Sequence, residues 1–247
     1  MNNKIGKFEI NRIYCGDSLE LMKDIPDKSI DLVLTDPPFA IKFKGRRNNY
    51  HRRADRVLQG YNEIPQEKYK DFSLKWIKET YRILKETVSA YIFSGWNNLK
   101  DILIAIDDAG YHTLNHLIWK YQFGVFTKKK FVTSHYHILL VVKNLKKYKF
   151  NKIDHYPEDV IMVKRDYWHG KMKTETKLPV ELVKKLILYS SDEGDIVFDP
   201  FMGSGTTAEA CRLTNRNYLG FEIVPEYVDF ANDRISKIPP PLEKWVK

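Results

Sequence analysis

Cysteine is nearly missing from this chain of 247 residues: Cys15 and Cys211 are the only two, and neither lies in a CxxC pair. That removes a disulfide framework and a thiolate zinc site together, and leaves a reduced cytoplasm as the expected compartment. Long apolar runs are missing as well. No stretch approaches the length of a membrane-spanning helix, and Met1 to Ile10 contains no apolar core of an export signal. No internal repeat occurs. Acidic charge is scarce: 32 Asp and Glu stand against 41 Lys and Arg, a formal charge of +9. Such a surplus favours a polyanionic partner, nucleic acid before membrane surface.

What is present is ordinary for a folded protein. At 43% hydrophobic and 30% charged residues the composition argues against disorder. The length fits one α/β domain, residues 1–247, with room for a small inserted recognition element. Strand-like runs end in turns: Phe8 to Tyr14, Ile30 to Leu34, Ser89 to Phe93, His137 to Val142, Asp195 to Phe198 and Asn217 to Phe221. Between them lie amphipathic helix candidates. Gln66 to Leu84 places Tyr69, Phe72, Trp76, Ile77, Thr80 and Ile83 near one face. Leu99 to Ala109, Pro179 to Tyr189, Thr206 to Leu213 and Pro225 to Ile235 behave alike, with Pro179 and Pro225 suited to first-turn positions. Strands alternating with helices predict a mostly parallel sheet covered on both faces, with an antiparallel hairpin over Phe126 to Lys143. Cys15 and Cys211 read as small core residues.

Two segments break the alternation. The basic loop 42–62 carries Lys42, Lys44, Arg46, Arg47, Arg52, Arg53 and Arg56. The irregular segment 143–173 is rich in Lys, Tyr and His. A solvated charge run is the bland reading of either one. The first leaves directly from the turn described next, which favours a nucleic-acid contact by Lys44, Arg46, Arg47, Arg52 and Arg53. Lys128 to Lys130 and the Lys146 to Lys152 region offer similar residue types.

That turn is Asp36-Pro37-Pro38-Phe39, directly after the apolar run Ile30 to Leu34. Proline fixes φ and has no N–H, so the peptide here accepts hydrogen bonds and cannot donate from its ring nitrogens. An acid, two prolines and an aromatic therefore form a rigid acceptor ledge beside a flat apolar surface. Such a ledge suits a planar group carrying an NH₂, such as the exocyclic amine of a nucleobase.

A second motif runs from Val197 through Asp199-Pro200-Phe201-Met202-Gly203-Ser204-Gly205-Thr206-Thr207, a strand, a glycine turn and a helix start. Glycines permit close backbone approach of a ligand. Glu222 closes the next strand, where a carboxylate can accept from both hydroxyls of a ribose. Gly203-x-Gly205-x-x-Ala208 also satisfies the dinucleotide fingerprint, so an NAD-dependent oxidoreductase stands as a competing class. A glycine turn needed only for packing fits poorly with the paired Asp199 and Glu222. Protection from heat by NADH would mark the oxidoreductase.

Together these pieces resemble the N6-adenine/N4-cytosine DNA amino-methyltransferases, in the circularly permuted order of the beta group. The resemblance rests on Gly16-Asp17-Ser18-Leu19, Thr35-Asp36-Pro37-Pro38-Phe39, the Phe198 to Thr207 loop, Tyr218 to Ile223 and Lys177 to Leu182. It covers nearly the whole chain. It implies a Rossmann-like methyltransferase fold, with a mostly parallel seven-stranded sheet, one antiparallel strand and helices on both faces. It implies S-adenosylmethionine as cofactor, held by Asp17, Asp199, Phe201, Gly203, Gly205, Thr206, Glu222 and Lys177. Asp17 would lie near the adenine, although its residue type suits a helix N-cap equally. Catalysis would fall to Asp36, Pro37, Pro38 and Phe39 acting on a flipped-out base, with no metal. Double-stranded DNA is the implied partner, joined in some members by a second copy or a cognate restriction endonuclease. The setting is the DNA of a bacterium, archaeon or phage.

Departures from the family pattern are local. Its HPTxKP segment reads Thr174-Glu175-Thr176-Lys177-Leu178-Pro179 here, and Tyr136 stands where Glu is common. Asp before the two prolines is the adenine tendency, where N4-cytosine enzymes tend to carry Ser. Both targets present an NH₂ to the same ledge, and an RNA amine is a third option. From another class, a catalytically dead fold could serve as a nucleic-acid-binding module; the intact ledge and glycine turn argue against it.

Overall fold

Alternate residues of each central strand feed two separate hydrophobic cores. Val33, Ala90, Ile92, Leu139 and Phe198 enter one; Leu32, Leu34, Tyr91, Phe93 and Val197 enter the other. This is the period of two that a sheet buried on both faces demands. The computed structural model describes residues 3–39, 64–122, 124, 126–166 and 177–239. The basic loop, with Lys44, Arg46, Arg47, Arg52 and Arg53, lies outside the described residues.

A small hairpin, β1 (Lys4–Ile5) with β2 (Phe8–Glu9), precedes β3 (Arg12–Cys15) and the short helix α1 (Ser18–Leu21). Then follow β4 (Ile30–Thr35), α2 (Gln66–Ile83), β5 (Leu84–Ser94), α3 (Leu99–Ala109), β6 (His112–Lys120) and β7 (His135–Val142). The last part holds β8 (Val160–Met162), α4 (Val180–Ser190), β9 (Ile196–Asp199), α5 (Thr206–Arg212), β10 (Asn217–Glu222) and α6 (Pro225–Ser236). Helices α2 and α3 cover the first core, with Tyr69, Trp76, Ile77, Ile102 and Ile106. Helices α4, α5 and α6 cover the second, through Leu182, Leu186, Ala208, Val228 and Ala231 among others.

The main sheet has the order β3-β10-β9-β4-β5-β7-β6-β8. Strand β7 alone runs against its neighbours β5 and β6, while the other pairings are parallel. Among the described residues the sheet has eight strands where seven were expected. The addition is β8, three residues from the segment read as irregular, paired to the edge at Ile118, Trp119 and Lys120. The expected hairpin also shifts: β7 pairs with His112–Lys120, a stretch not read as a strand, and Phe126 to Ser134 form its loop. The first strand-like run, Phe8 to Tyr14, breaks into two short strands, β2 and β3.

The irregular segment is partly structural. Lys143 is buried and donates to the Leu84 carbonyl. Lys149 pairs with Asp192 and Asp195 at 2.8 Å each, and the Asn151 amide donates to Leu188, Ser191 and Asp192. These groups anchor the segment to the end of α4, which removes Lys149 and Asn151 from the DNA-reading candidates. Cys211 is buried as expected, but Cys15 is exposed. No helix among the described residues is long and apolar enough to cross a membrane.

Candidate active site

Strands β4 and β9 lie side by side, with Leu32 opposite Val197 and Val33 opposite Phe198. Their crossover helices leave in opposite directions: α2 carries β4 to β5 over one face, and α5 carries β9 to β10 over the other. A crevice opens at the carboxyl ends of strands at such a switch point. Asp36 follows β4 and Asp199 ends β9, so residues 163 positions apart meet there because of topology.

The crevice holds a cavity of about 350 Å³ lined by Asp17, Asp36, Pro38, Lys177, Asp199, Phe201, Gly203, Thr206 and Glu222. This volume falls in the range of small-molecule sites. Gly205 is not a lining residue. It takes φ +84 and sits so near α6 that a Cβ would lie 2.9 Å from Ile235 and 3.0 Å from Ala231. Pro37 and Phe39 do not line the cavity either. Phe39 is buried, and its ring meets Tyr136 edge-on with centroids 5.7 Å apart.

Asp199 is held on both oxygens. Oδ1 accepts from the Phe201 N–H at 3.0 Å and Oδ2 from the Thr207 hydroxyl at 2.7 Å. Burial pushes its carboxyl up to about 6, against the pull of those bonds. Asp36 is more exposed to cost. Its Oδ1 is buried and finds no hydrogen-bond partner in the structure described. Burial first, and the charge of Asp199 second, push Asp36 up to about 7. An unsatisfied buried acceptor of this kind calls for a donor from a ligand.

Glu222 ties the glycine turn to β10. Its Oε2 accepts from the Gly203 N–H and its Oε1 from the Val224 N–H, both at 2.9 Å. Burial raises its pKa while these bonds restrain it. Each carboxylate oxygen has two lone pairs, so one per oxygen is left for a diol. Asp17 caps α1 by accepting from the Leu19 N–H at 2.8 Å, and it lines the cavity too. Both readings of that residue therefore hold at once. Lys177 stands between Asp166 at 3.7 Å and Glu209 at 3.9 Å.

Several lining residues were not among the expected set: Ser18, Ile64, Phe72, Leu178, Met202 and Tyr227. Phe72 reads as core by helical spacing, yet it is only half-buried and touches Phe201, centroids 5.9 Å apart. A ring at the margin of an apolar helix face gives no sequence signal separating core from cavity wall. Ser18 was hidden in a helix start, and its hydroxyl bonds the Pro200 carbonyl.

A switch-point crevice with two acids at strand ends, a glycine turn and a carboxylate able to accept a diol is a Rossmann-like site for a nucleoside-bearing cofactor. The fold matches the solved PvuII DNA methyltransferase (cytosine-N4-specific) with a TM-score of 0.70, at 21% identity over 91% of this chain and 89% of that one. It also matches the solved M1.HpyAVI–SAM complex with a TM-score of 0.69, at 24% identity over 90% and 98%. The DNA methylase family model matches residues 30–233. The Type II methyltransferase M.HinfI of Haemophilus influenzae is 31% identical, over 97% of this chain and 72% of its own length. The chain belongs to the N6/N4 DNA amino-methyltransferase family. Membership sets aside the oxidoreductase suggested by the glycine spacing.

The residues present fit S-adenosylmethionine. The unfilled lone pairs of Glu222 suit a ribose diol, and the apolar walls Ile223, Val224 and Tyr227 beside it suit a purine. Asp199 and the Phe201 to Gly203 turn lie on the path towards Asp36.

Proposed function

We propose that this protein transfers a methyl group from S-adenosylmethionine to the N6 amine of an adenine flipped out of double-stranded DNA. The observation that carries this reading is the buried Asp36 Oδ1, which has no hydrogen-bond partner among the described residues, in a cavity that also presents Asp199 and Glu222. Asp rather than Ser at that position favours adenine over cytosine N4 within the family. Base extrusion follows from access, because an amine inside a stacked duplex cannot reach a crevice at strand ends. A cognate restriction endonuclease belongs to the same picture, as does the permuted order that places Asp36 before Gly203.

An exocyclic amine is a weak nucleophile because its lone pair is delocalised into the ring. Asp36 accepts one amine N–H and the Pro37 carbonyl the other, which draws the nitrogen towards tetrahedral geometry and frees the lone pair. Pro38 keeps the ledge rigid; Phe39, buried against Tyr136, backs the ledge and does not present the stacking face its residue type suggested. S-adenosylmethionine supplies a methyl on a sulfonium, already a good leaving group. Asp36 also stabilises the positive charge that develops on the amine, so catalysis is positioning plus electrostatics. Asp17, Phe201, Gly203, Thr206, Glu222 and Lys177 hold the cofactor, and Asp199 orders the loop that carries it.

Expression in a methylation-free host followed by modification-sensitive sequencing tests this directly. We expect N6-methyladenine at one short motif, and none from Asp36→Ala, which should still bind the cofactor. N4-methylcytosine would move the assignment to the other target. Wild-type methylation by Asp36→Ala would end the mechanism.

A further inference from the structure

The β6–β7 hairpin opens on the same end of the sheet as Asp36. Strand β7 runs against β5, so its start lies beside the carboxyl end of β5: Ser94 pairs with His137, while Thr35 of β4 pairs with Ile92. Tyr136, next to that start, is the residue whose ring touches Phe39. The described residues between the two strands, 121, 122, 124 and 126–134, therefore lie at the rim of the catalytic ledge.

The base of this hairpin is rigid. The Tyr121 N–H donates to the Ser134 carbonyl at 3.0 Å, the Tyr121 ring packs on Trp119, and the Arg165 guanidinium lies 3.7 Å from its centroid. A Cβ on Gly124 would lie 1.8 Å from the Thr133 carbonyl oxygen, so the two sides of the hairpin are in close contact there. Beyond that neck the character changes. Phe131 is 99% exposed and Phe126 78%, with Lys128, Lys129 and Lys130 exposed between them. No Asp or Glu occurs anywhere in 121–134.

A fully exposed phenylalanine beside three lysines has no purpose in the fold. Its ring belongs to neither core of the described residues, and the lysines repel one another. A DNA duplex complements both features: phosphates match the ammonium groups, and the base stack matches the ring. Two residues beyond Thr133 give up to about 7 Å of reach before the side chain itself, close to the depth of a DNA groove, about 7.5–8.5 Å. Trp96 is also exposed on this end, but its ring lies against His137, centroids 6.1 Å apart, immediately after β5.

We propose that Phe131 is a wedge that enters the base stack at the place a flipped base vacates, with Lys128, Lys129 and Lys130 holding the flanking phosphates. The proposal rests on base flipping. Filling the gap offsets the lost stacking, and so favours the extruded state without touching the reacting amine.

The test uses the full-length enzyme on its mapped target, as a paired duplex and as a duplex whose target adenine already faces a mismatch. A mismatched base is extruded at lower cost. Phe131→Ala should lower kcat/KM about tenfold or more on the paired duplex, and recover to near wild-type on the mismatched one. Phe131→Trp should restore the paired rate. Cofactor affinity should stay constant, since the side chain is outside the fold. Neutralising the three lysines should lower affinity for both duplexes and reduce the salt slope by about 3. An unchanged paired rate in Phe131→Ala, or an equal loss on both duplexes, would overturn the wedge. Wild-type enzyme that gains no affinity for the mismatched duplex would overturn flipping itself, and the wedge with it.

Discussion

The proposed chemistry rests on one carboxyl group, that of Asp36. Its raised pKa, about 7, has burial as first cause and the neighbouring Asp199 as second. In the proposed mechanism, ionised Asp36 is the form that accepts the amine hydrogen bond and faces the developing positive charge. The ratio kcat/KM should therefore fall as pH drops through about 7, because that ratio reports the free enzyme. The bound sulfonium favours the ionised acid, so kcat should hold to lower pH than kcat/KM does. Superimposable profiles of the two would show that Asp36 does not titrate against the donor's charge. Asp36, Asp199 and Glu222 were legible in the sequence because each is an acid closing an apolar strand. Their order of need was not. That Asp199 is satisfied and Asp36 is not depends on where Thr207 and the Phe201 N–H fall in space.

At the scale of elements, the β9–α5 turn shows what motif reading can and cannot separate. Gly203 and Gly205 look alike in the sequence, and both adopt positive φ, +52 and +84. Their surroundings differ. A Cβ at Gly203 meets nothing within 4 Å, whereas one at Gly205 meets Ile235 and Ala231 of α6. Gly203→Ala should cost roughly 1 kcal/mol from its backbone alone. Gly205→Ala adds overpacking and should cost about 1–3 kcal/mol more. Equal melting temperatures for the two variants would show that α6 is free to yield. Helices α2 to α6 matched their apolar periodicity to within two residues at each end, because amphipathic spacing is a strong local signal. Strand β6 and the edge strand β8 were missed for the opposite reason. His112–Lys120 buries only Trp119 fully, so no clean alternation marks it.

For the molecule as a whole, charge and topology act together. The parallel ladder was readable from alternating elements, but the adjacency of β4 and β9 is a long-range fact that no local pattern encodes. The surplus of +9 belongs to the partner rather than to the fold. Replacing Arg46, Arg47, Arg52 and Arg53 by Gln should weaken DNA binding and flatten its dependence on salt by about 3–4 in the logarithmic slope. Electrophoretic titration at two salt concentrations measures this, and an unchanged affinity would remove the loop from the interface. One further consequence reaches the whole fold from a single atom. Asp36 keeps a carboxyl pKa far above its unfolded value, so the folded protein binds its proton more tightly than the unfolded chain does. Ionising it therefore destabilises the native state, with no penalty near pH 4 and the full penalty above about 7. Asp36→Asn should melt at a higher temperature than wild-type at pH 8, with the difference vanishing near pH 4. The inactive enzyme would then be the hardier one, and selection for catalysis would be what keeps this protein less durable than its own sequence allows.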